Sequence, residues 1–333
     1  MKIGKVPEAI LKRSVLKQLK RKREEVVKGP AFGEQNGILD ITNNHHLVLS
    51  TNPFIGTKKE AGEFGLLESI HNVWVSGAEP IAILVSILLP DKMEEKGLRR
   101  IMEDLRIQCQ TYHVDVIGGH TEVTASVLEP ILTITAVGVS NQDSLFDSSS
   151  LQESEDIVMT KWCGQSGTVR LALRKESQLK ERYPDDFIDG AKRLKTQLLF
   201  TKEIELLKES GIRAVHHVAK GGVFGALWEF AAASGVGLDI DLMRIPLKQE
   251  TVEICEYFDL NPYCLESVGC LLIGAKRGND VVDLLTRHGI PAVVIGKTTK
   301  GNDRVIRNGE EERYLEPPKS DELNKIFSME VRK

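Results

Sequence analysis

At 333 residues the chain exceeds what one hydrophobic core usually holds, so two domains of about 150 residues each are expected. Hydrophobic residues make up 41% of the sequence and charged residues 28%, a balance that excludes a disordered or fibrous chain. The net charge of −4 argues against general polyanion binding, so nucleic acid is not an expected partner.

The apolar and cysteine patterns indicate a cytoplasmic protein. The longest apolar run, residues 81–89, is far shorter than the ~18 residues that a membrane span requires, and the N-terminus lacks the apolar core of a secretory signal. The five cysteines include no CxxC pair, which fits reduced thiols rather than disulfides. We therefore expect no membrane attachment.

Apolar periodicity predicts mixed α/β structure in the first half of the chain. The predicted elements are, in order, an amphipathic helix over 11–19, strands over 37–41 and 46–50, a helix over 60–76, a strand over 81–89, a helix over 98–112, a buried strand over 114–117 and a strand over 131–140. The elements between 81 and 117 form a βαβ unit. A polar stretch over 141–155 marks a boundary, which gives an N-terminal domain over 1–150 and a C-terminal domain over 151–333.

The second half also alternates between strand and helix patterns. The predicted elements are strands over 157–160, 212–218, 236–240, 269–275 and 292–296, and helices over 167–175, 191–210, 223–231, 249–258 and 280–288. Both halves therefore belong to the α/β or α+β class.

A basic segment near the N-terminus allows a separate interpretation. It contains Lys12, Arg13, Lys17, Lys20, Arg21, Lys22 and Arg23. We interpret it as the solvated face of a helix, because aromatic residues for base stacking are missing there. Contact with nucleic acid or an acidic partner is the weaker alternative.

Three glycine-containing segments have the composition needed to approach a phosphate group. The first, GPAFGEQNG over 29–37, precedes a strand, and its glycines let backbone N–H groups come close to an anion. The second, GGHTE over 118–122, follows a predicted strand at the sheet edge where α/β proteins bind ligands. The third, KGG over 220–222, precedes a helix whose first N–H groups are available. None matches a standard fingerprint, so packing and binding stay open for each.

Taken in order, these segments resemble the AIR-synthase superfamily, and in particular its hydrogenase-maturation, carbamoyl-dehydratase-like branch. The resemblance runs from end to end, through residues 29–40, 72–80, GGHTEVT at 118–124, GGVFGALWEFAAASGVGLDID at 221–241, and 246–272. It implies the two-domain PurM-like fold, in which the N-terminal mixed sheets of two subunits join into a barrel and an α/β C-terminal domain follows. It also implies a homodimer that binds ATP near that interface.

The resemblance further implies ATP-dependent phosphoryl transfer or dehydration on a small acceptor, with Mg²⁺ normally bridging the phosphates. The nucleotide-binding positions that it implies are Gly29, Gly33, Gln35, Asn36, Gly37, Asn52, Asn72, Gly118, Gly119, His120, Thr121, Lys220, Gly221 and Gly222. The catalytic candidates are Glu34, His120 and Glu122, although surface charge is the alternative for both glutamates. The family's metal-site positions are held here by Gln35, Asn52, His120 and His217.

Several carboxylates of the family pattern are replaced in this chain. Gln35 and Asn52 stand where the family has aspartate, Val73 replaces the aspartate of an Asn-Asp pair, and residues 217–220 replace an acidic segment. Mg²⁺ is a hard cation that prefers carboxylate oxygens, so the sequence argues against strong magnesium binding. A transition metal shared by His216 and His217 is disfavoured, because neighbouring residues on a strand point to opposite faces.

Two functional hypotheses therefore remain. The first is an ATP-using phosphoryl-transfer or dehydration enzyme; the branch's own chemistry on a C-terminal cysteine is not expected, since the last cysteine here is Cys270. The second is a catalytically degenerate homodimer that binds a nucleotide or a partner and has lost the magnesium carboxylates.

Overall fold

Two units, each with its own sheet, make up the chain in the computed structural model. The structure describes residues 6–19, 23–42, 45–55, 60–141 and 145–331. Of these, the first unit holds 23–30 and most of 35–145. The second holds 146–331 together with two N-terminal pieces, 6–19 and 31–34.

The N-terminal helix α1 (Glu8–Ser14) is shorter than the predicted helix over 11–19, and a separate 3-10 turn follows at Leu16–Gln18. The Trp228 indole N–H donates to the Glu8 carboxylate at 2.8 Å, so α1 is tied to the second unit. Of the basic segment, Lys20, Arg21 and Lys22 lie outside the described residues.

The first unit combines a six-stranded sheet with two helices. Its elements are β1 (Val26–Lys28), β2 (Gly37–Thr42), β3 (His45–Ile55), α2 (Ala61–Trp74), β4 (Glu79–Pro90), α3 (Glu95–Thr111), β5 (Asp115–Thr124) and β6 (Ile131–Asn141). The strand order is β1-β2-β3-β6-β4-β5. Strands β4 and β5 are parallel and α3 connects them, which confirms the predicted βαβ unit, whereas the other pairs are antiparallel.

The two faces of this sheet differ in exposure. Along β3, Val48, Ser50 and Phe54 are buried on the face that packs against α2. The opposite face carries apolar side chains that remain about 40% exposed, Ile81 at 42% and Leu84 at 40%. One face of the sheet therefore belongs to the core, and the other is open.

The prediction of a buried strand over 114–117 is wrong. β5 continues to Thr124, and Val116 and Ile117 are exposed. The reason is that β5 lies at the edge of the sheet, with β4 as its sheet neighbour. Apolar residues on such an edge strand can remain exposed.

The second unit surrounds a seven-stranded sheet with helices. Its elements are β7 (Asp156–Thr160), α4 (Gln165–Arg174), α5 (Glu176–Leu179), α6 (Asp185–Arg193), α7 (Thr201–Glu209), β8 (Ala214–Val218), α8 (Gly222–Ser234), β9 (Gly237–Asp241), α9 (Gln249–Tyr257), β10 (Cys270–Ala275), α10 (Gly278–Arg287), β11 (Ala292–Thr299), β12 (Arg304–Asn308), β13 (Glu311–Tyr314) and α11 (Leu323–Val331). The strand order is β13-β12-β9-β11-β7-β10-β8. The α/β class predicted for both halves is confirmed.

The single helix predicted over 191–210 is wrong. α6 ends at Arg193, a 3-10 turn covers Leu194–Gln197, and α7 begins at Thr201. The interruption leaves the Leu199 carbonyl outside a helix, where it accepts a hydrogen bond from the buried Lys161 ammonium group. Periodicity could not show this break, because Leu194, Leu198 and Ile204 are all buried in any case.

Within the described part of the chain, no helix combines the length and apolar character needed to cross a bilayer.

Candidate functional site

A hydrogen-bonded group of polar side chains lies inside the first unit, between β3 and α2. The Ser50 hydroxyl donates to the Gln35 backbone carbonyl at 3.0 Å, and the Asn72 amide nitrogen donates to the Ser50 oxygen at 3.1 Å. The Asn52 amide nitrogen is 3.4 Å from the same oxygen. We call Gln35, Ser50, Asn52 and Asn72 the Ser50 cluster.

Local structure explains why these residues meet. Ser50 and Asn52 are two positions apart on β3, so both project toward the face that α2 covers. Asn72 lies in the last turn of α2 and is 7% exposed, and Ser50 is 4% exposed. Sequence reasoning named Gln35, Asn52 and Asn72 but missed Ser50, the residue that connects them. Its place two residues before Asn52 on a predicted strand was the available signal.

The chemistry of the Ser50 cluster is neutral. The Ser50 hydroxyl and the side-chain amides of Asn52 and Asn72 offer donors and acceptors but no formal charge, and Gln35 contributes its backbone carbonyl. Among the described residues, no group of three histidine, cysteine, aspartate or glutamate side chains is arranged to hold a metal ion. The cluster therefore offers hydrogen-bond donors, which suit phosphate oxygens. It does not include the carboxylates that Mg²⁺ prefers.

The second glycine segment is part of β5 rather than a turn after it, which corrects the sequence interpretation. The two glycines differ in their surroundings: a β-carbon on Gly119 would lie 1.9 Å from the Val85 carbonyl oxygen, whereas one on Gly118 would first meet the Leu84 side chain at 3.3 Å. Gly119 is therefore required by the close approach of β5 to β4.

His120 and Glu122 lie away from the Ser50 cluster. The register pairs Asn52 with Ile134, Ile134 with Val85, and Val85 with Gly119, so these four positions share the covered face of the sheet. His120 and Glu122 belong to the opposite, open face, with the imidazole Nε2 3.3 Å from the carboxylate. Three strand spacings, roughly 14 Å, also separate β3 from β5. Thr121 is exposed on the same edge strand.

The first glycine segment is divided between the two units. Gly33 packs on α8: its φ is +83°, and a β-carbon there would lie 2.6 Å from the Glu229 carbonyl oxygen. Glu34 is partly buried and belongs to the same piece as Gly33, whereas Gln35, Asn36 and Gly37 belong to the first unit. A β-carbon on Gly29 would have space around it, and its nearest neighbour would be the Val26 side chain at 3.8 Å. For Gly33 the packing interpretation is the one that the contacts support.

The third segment begins α8 in the second unit. Gly221 and Gly222 have φ of 91° and 64°, and a β-carbon on Gly222 would lie 2.5 Å from the Tyr263 carbonyl oxygen. The N–H of Gly221 donates to the Asp321 carboxylate at 2.7 Å. A carboxylate of the chain itself therefore occupies the backbone donor that the sequence suggested for a phosphate. Lys220, directly before, is partly buried.

The two adjacent histidines of β8 are buried on opposite sides of their strand. The His217 ring packs edge-on against Phe200 with centroids 5.2 Å apart, and the His216 ring stacks on Phe230 at 5.4 Å. His216 also lies 3.3 Å from the Ser148 hydroxyl and 3.7 Å from the Glu229 carboxylate. His217 is thus enclosed in the second unit, while Gln35, Asn52 and His120 belong to the first.

A buried acidic network lies near the start of α8. The Glu266 carboxylate accepts from Arg170 at 3.0 Å and from the Ser166 hydroxyl at 3.2 Å. Burial, and next the neighbouring charge of Glu266, raise the pKa of Asp321 to about 7. No sequence pattern indicated this network, because no motif surrounds Arg170 or Asp321.

None of the five cysteines offers a reactive thiolate. Burial raises the pKa of Cys109 and Cys264 to about 11, that of Cys255 and Cys270 to about 12, and that of Cys163 well above its ordinary value. All five are free thiols, as the spacing predicted. They are therefore structural residues, not nucleophiles.

Two domain models of one family match the chain in succession. The AIR synthase related protein N-terminal domain matches residues 33–140, and the C-terminal domain of the same description matches 157–308. The chain belongs to the AIR synthase-related family.

Two curated relatives illustrate the similarity of this chain to known proteins. A protein of Methanocaldococcus jannaschii, provisionally named as a hydrogenase expression/formation protein, is 24% identical over 253 residues, which are 74% of this chain and 72% of the relative. The phosphoribosylformylglycinamidine synthase subunit PurL of Caldanaerobacter subterraneus subsp. tengcongensis is 26% identical over 318 residues, or 89% of this chain. The chain spans 41% of that longer relative.

Solved structures share the fold across nearly the whole chain. Hydrogenase maturation protein HypE in complex with ATP has a TM-score of 0.66 at 16% identity, covering 94% of this chain and 95% of that one. AaThiL complexed with AMPPCP and TMP has a TM-score of 0.70 at 19% identity, covering 95% and 98%. The PurM-like fold that the sequence resemblance implied is confirmed.

Proposed function

We propose that this chain binds ATP in its first unit, with the Ser50 cluster beside the triphosphate, and uses it for phosphoryl transfer or dehydration on a small acceptor. The observation that carries the proposal is the cluster itself. Ser50 holds Asn72 and the Gln35 backbone together, and Gln35, Asn52 and Asn72 are the positions that the family resemblance assigns to the nucleotide and its metal.

The polar groups of the cluster suit the oxygens of a triphosphate. Side-chain amide N–H groups and the start of β2 at Gly37 supply donors without a charge, and a β-carbon on Gly37 would find its nearest neighbour at 3.9 Å. Donors fixed in advance by their own hydrogen bonds need little rearrangement when an anion binds. Both structural neighbours described above hold a nucleotide or its analogue, which supports ATP as the ligand.

Magnesium fits this cluster poorly. Mg²⁺ binds through carboxylates and phosphate oxygens in octahedral geometry, and the cluster has amides at both positions where the family pattern has aspartate. The proposed reaction therefore does not depend on a metal held by the protein.

The proposed reaction is attack of an acceptor oxygen on the γ-phosphorus of ATP. The new bond joins that oxygen to phosphorus, the bond to the β–γ bridging oxygen breaks, and ADP leaves. In the dehydration variant, the phosphorylated amide oxygen then departs as phosphate and a nitrile remains. The proton that the acceptor loses in each step passes to solvent, because His120 and Glu122 lie on the opposite face of the sheet, roughly 14 Å from the cluster.

The position of His120 and Glu122 bears on the oligomeric state. They occupy the open face of the six-stranded sheet, beside the exposed apolar residues Ile81 and Leu84. An exposed apolar sheet face is an interaction surface. We propose that a second copy of the chain covers it, as the family resemblance implies, and that the two sheets form the dimeric barrel.

A catalytically degenerate nucleotide-binding homodimer is the second candidate. The neutral chemistry of the Ser50 cluster favours it, because each lost carboxylate removes attraction for the cation that normally accompanies ATP. In that case the chain binds a nucleotide or a partner without turnover.

A variant that restores the carboxylates separates the two candidates. In Gln35→Asp/Asn52→Asp, magnesium-dependent ATP affinity is expected to rise if the surrounding site is intact. Gln110→Asp is the matched control, since it converts an exposed amide on α3 to a carboxylate away from the cluster and from the open sheet face. No rise in the double variant would contradict an intact ATP site at the cluster, and phosphate release by the unmodified chain would exclude degeneracy.

A further inference from the structure

A cleft of about 620 Å³ lies in the second unit, at the end of its sheet where β8 begins and β10 ends. Its wall is formed by the first turns of α10, by Arg213 before β8, by Lys276 and Arg277 after β10, and by Glu155 before β7. We call it the β8–β10 cleft. Gly221 follows the other end of β8, so the length of that strand, roughly 17 Å, separates the cleft from the start of α8.

The size and the lining of the cleft suit a small molecule. Ligand pockets in proteins usually enclose about 300–1,000 Å³ and combine apolar walls with a few polar groups. Here Ile212, Val281 and Leu284 supply the apolar part, and charged side chains supply much of the remaining wall. The cleft therefore offers both kinds of contact that a ligand site needs.

Two cations of the cleft lack a carboxylate partner among the described residues. Arg277 is already paired, because the Asp280 carboxylate lies 2.9 Å from its guanidinium Nε. Arg213 and Lys276 are exposed, and no residue in the described part of the chain forms an ion pair with either side chain. An anionic group that enters the cleft would therefore meet two cations that are not neutralised by the chain itself.

Glu155 adds the opposite charge to the cleft. Its side chain belongs to a residue only 9% exposed, and one carboxylate oxygen accepts the Gln152 N–H at 3.0 Å. The same oxygen lies beside β10, 3.3 Å from the place of a β-carbon on Gly274. Within the ranges that the structure describes, no cationic side chain pairs with it. A buried carboxylate without a counter-ion costs free energy, which a cationic group of a ligand would offset.

The strand register brings these opposite charges close together. β7 and β10 are antiparallel with Asp156 opposite Ala275, so Glu155 and Lys276 occupy the next opposite positions along the two chains. Opposite positions of an antiparallel pair have β-carbons roughly 5 Å apart. An α-amino acid carries its ammonium and carboxylate groups on a single carbon, and it can therefore reach both charges at once.

We propose that the β8–β10 cleft binds a free α-amino acid with an aliphatic side chain. The ammonium group pairs with Glu155, the carboxylate pairs with Lys276 and Arg213, and the side chain packs against Val281. A simple anion would leave Glu155 without a counter-ion, and a simple amine would leave both cations without one. The cleft shares no residue with the Ser50 cluster, so this inference does not depend on the proposed function.

Calorimetric titration of the full chain with L-leucine tests the site. Isoamylamine, which lacks the carboxylate of leucine, and isocaproate, which lacks the ammonium group, are the matched ligands. Each should bind at least about tenfold more weakly than leucine, because each loses its hydrogen bonds to a charged side chain. An absence of leucine binding would overturn the proposal, and so would isocaproate or isoamylamine that binds as tightly as leucine.

Variants then locate the binding. Arg213→Met/Lys276→Met removes both unpaired cations, and Glu155→Gln removes the negative charge while it keeps an acceptor oxygen. Each change should weaken leucine binding by at least about tenfold. Arg193→Met/Arg287→Met removes two exposed cations of the second unit that lie outside the cleft, and it should bind leucine like the wild type. If Glu155→Gln does not fold, the exposed double variant still decides, because an unchanged leucine affinity in Arg213→Met/Lys276→Met would contradict the site.

Discussion

The Asn72 amide nitrogen on α2 lies 3.1 Å from the Ser50 hydroxyl oxygen on β3, inside the first unit. This bond connects a helix to a strand through side chains that are both less than a tenth exposed. A buried hydroxyl that donates once and accepts from an amide is costly to remove. Ser50 therefore determines the geometry of the candidate nucleotide site as well as the packing of α2 on the sheet.

Ser50→Ala tests that connection. The change removes the donor to the Gln35 carbonyl and the acceptor for Asn72, and we expect a loss of about 1–2 kcal/mol in unfolding free energy. ATP affinity should also fall, because Asn72 and Gln35 lose their fixed positions. Thr51→Ala, which removes a hydroxyl bonded to Thr135 on the exposed face, is the control and should leave ATP binding unchanged. Equal effects of the two variants would contradict the role assigned to Ser50.

The glycine pair of β5 offers a second test, by comparison within one dipeptide. Gly119→Ala should destabilise the chain by more than about 2 kcal/mol, since its β-carbon would overlap the Val85 carbonyl. Gly118→Ala should cost much less, because it meets the flexible end of Leu84. Chemical denaturation of both variants measures the difference, and a Gly119→Ala chain of wild-type stability would refute the packing interpretation.

The buried ion pair of the second unit predicts that losing one partner destabilises the chain more than losing the charges of both. Arg170→Met leaves the Glu266 carboxylate buried beside Ser166 and should cost about 3–5 kcal/mol. Adding Glu266→Gln should recover much of that loss. The exposed pair of Arg99 and Glu95 is the control, and Arg99→Met should change stability by less than about 1 kcal/mol. A double variant as unstable as Arg170→Met alone would show that the charge is not the cause.

The open sheet face predicts a self-association defect. Leu84→Glu places a charge among the exposed apolar residues of that face, and the proposed homodimer should dissociate in sedimentation experiments. Met243→Glu, at a residue 76% exposed in the second unit, is the matched control and should leave the sedimentation unchanged. A Leu84→Glu chain that sediments like the wild type would contradict a homodimer formed through this face.

Much of the fold could be predicted from the sequence, because buried strands and amphipathic helices leave a periodic pattern. The βαβ unit from β4 to β5 and the strands β7, β8 and β10 follow from apolar runs alone. β12 and β13 were missed, since they form a short polar hairpin at the sheet edge. α11 was missed because its residue Phe327 packs against Arg170 and Arg174, which are distant in the sequence, and such contacts leave no local pattern.

The candidate site was only partly predictable. Family resemblance selected Gln35, Asn52 and Asn72, which do meet around Ser50, but it could not show that His120 and Glu122 lie on the other face of the sheet. That assignment depends on strand register across four strands. The Asp321 carboxylate at the start of α8 was equally out of reach, since a hydrogen bond between positions 100 residues apart leaves no local pattern.

Calorimetric titration of the purified chain with ATP, with and without magnesium, tests the central claim most directly. If the neutral Ser50 cluster holds the triphosphate, ATP should bind in both conditions, and magnesium should strengthen binding less than it does in Gln35→Asp/Asn52→Asp. An absence of binding in both conditions would contradict the account and leave a protein that keeps the family fold without its nucleotide.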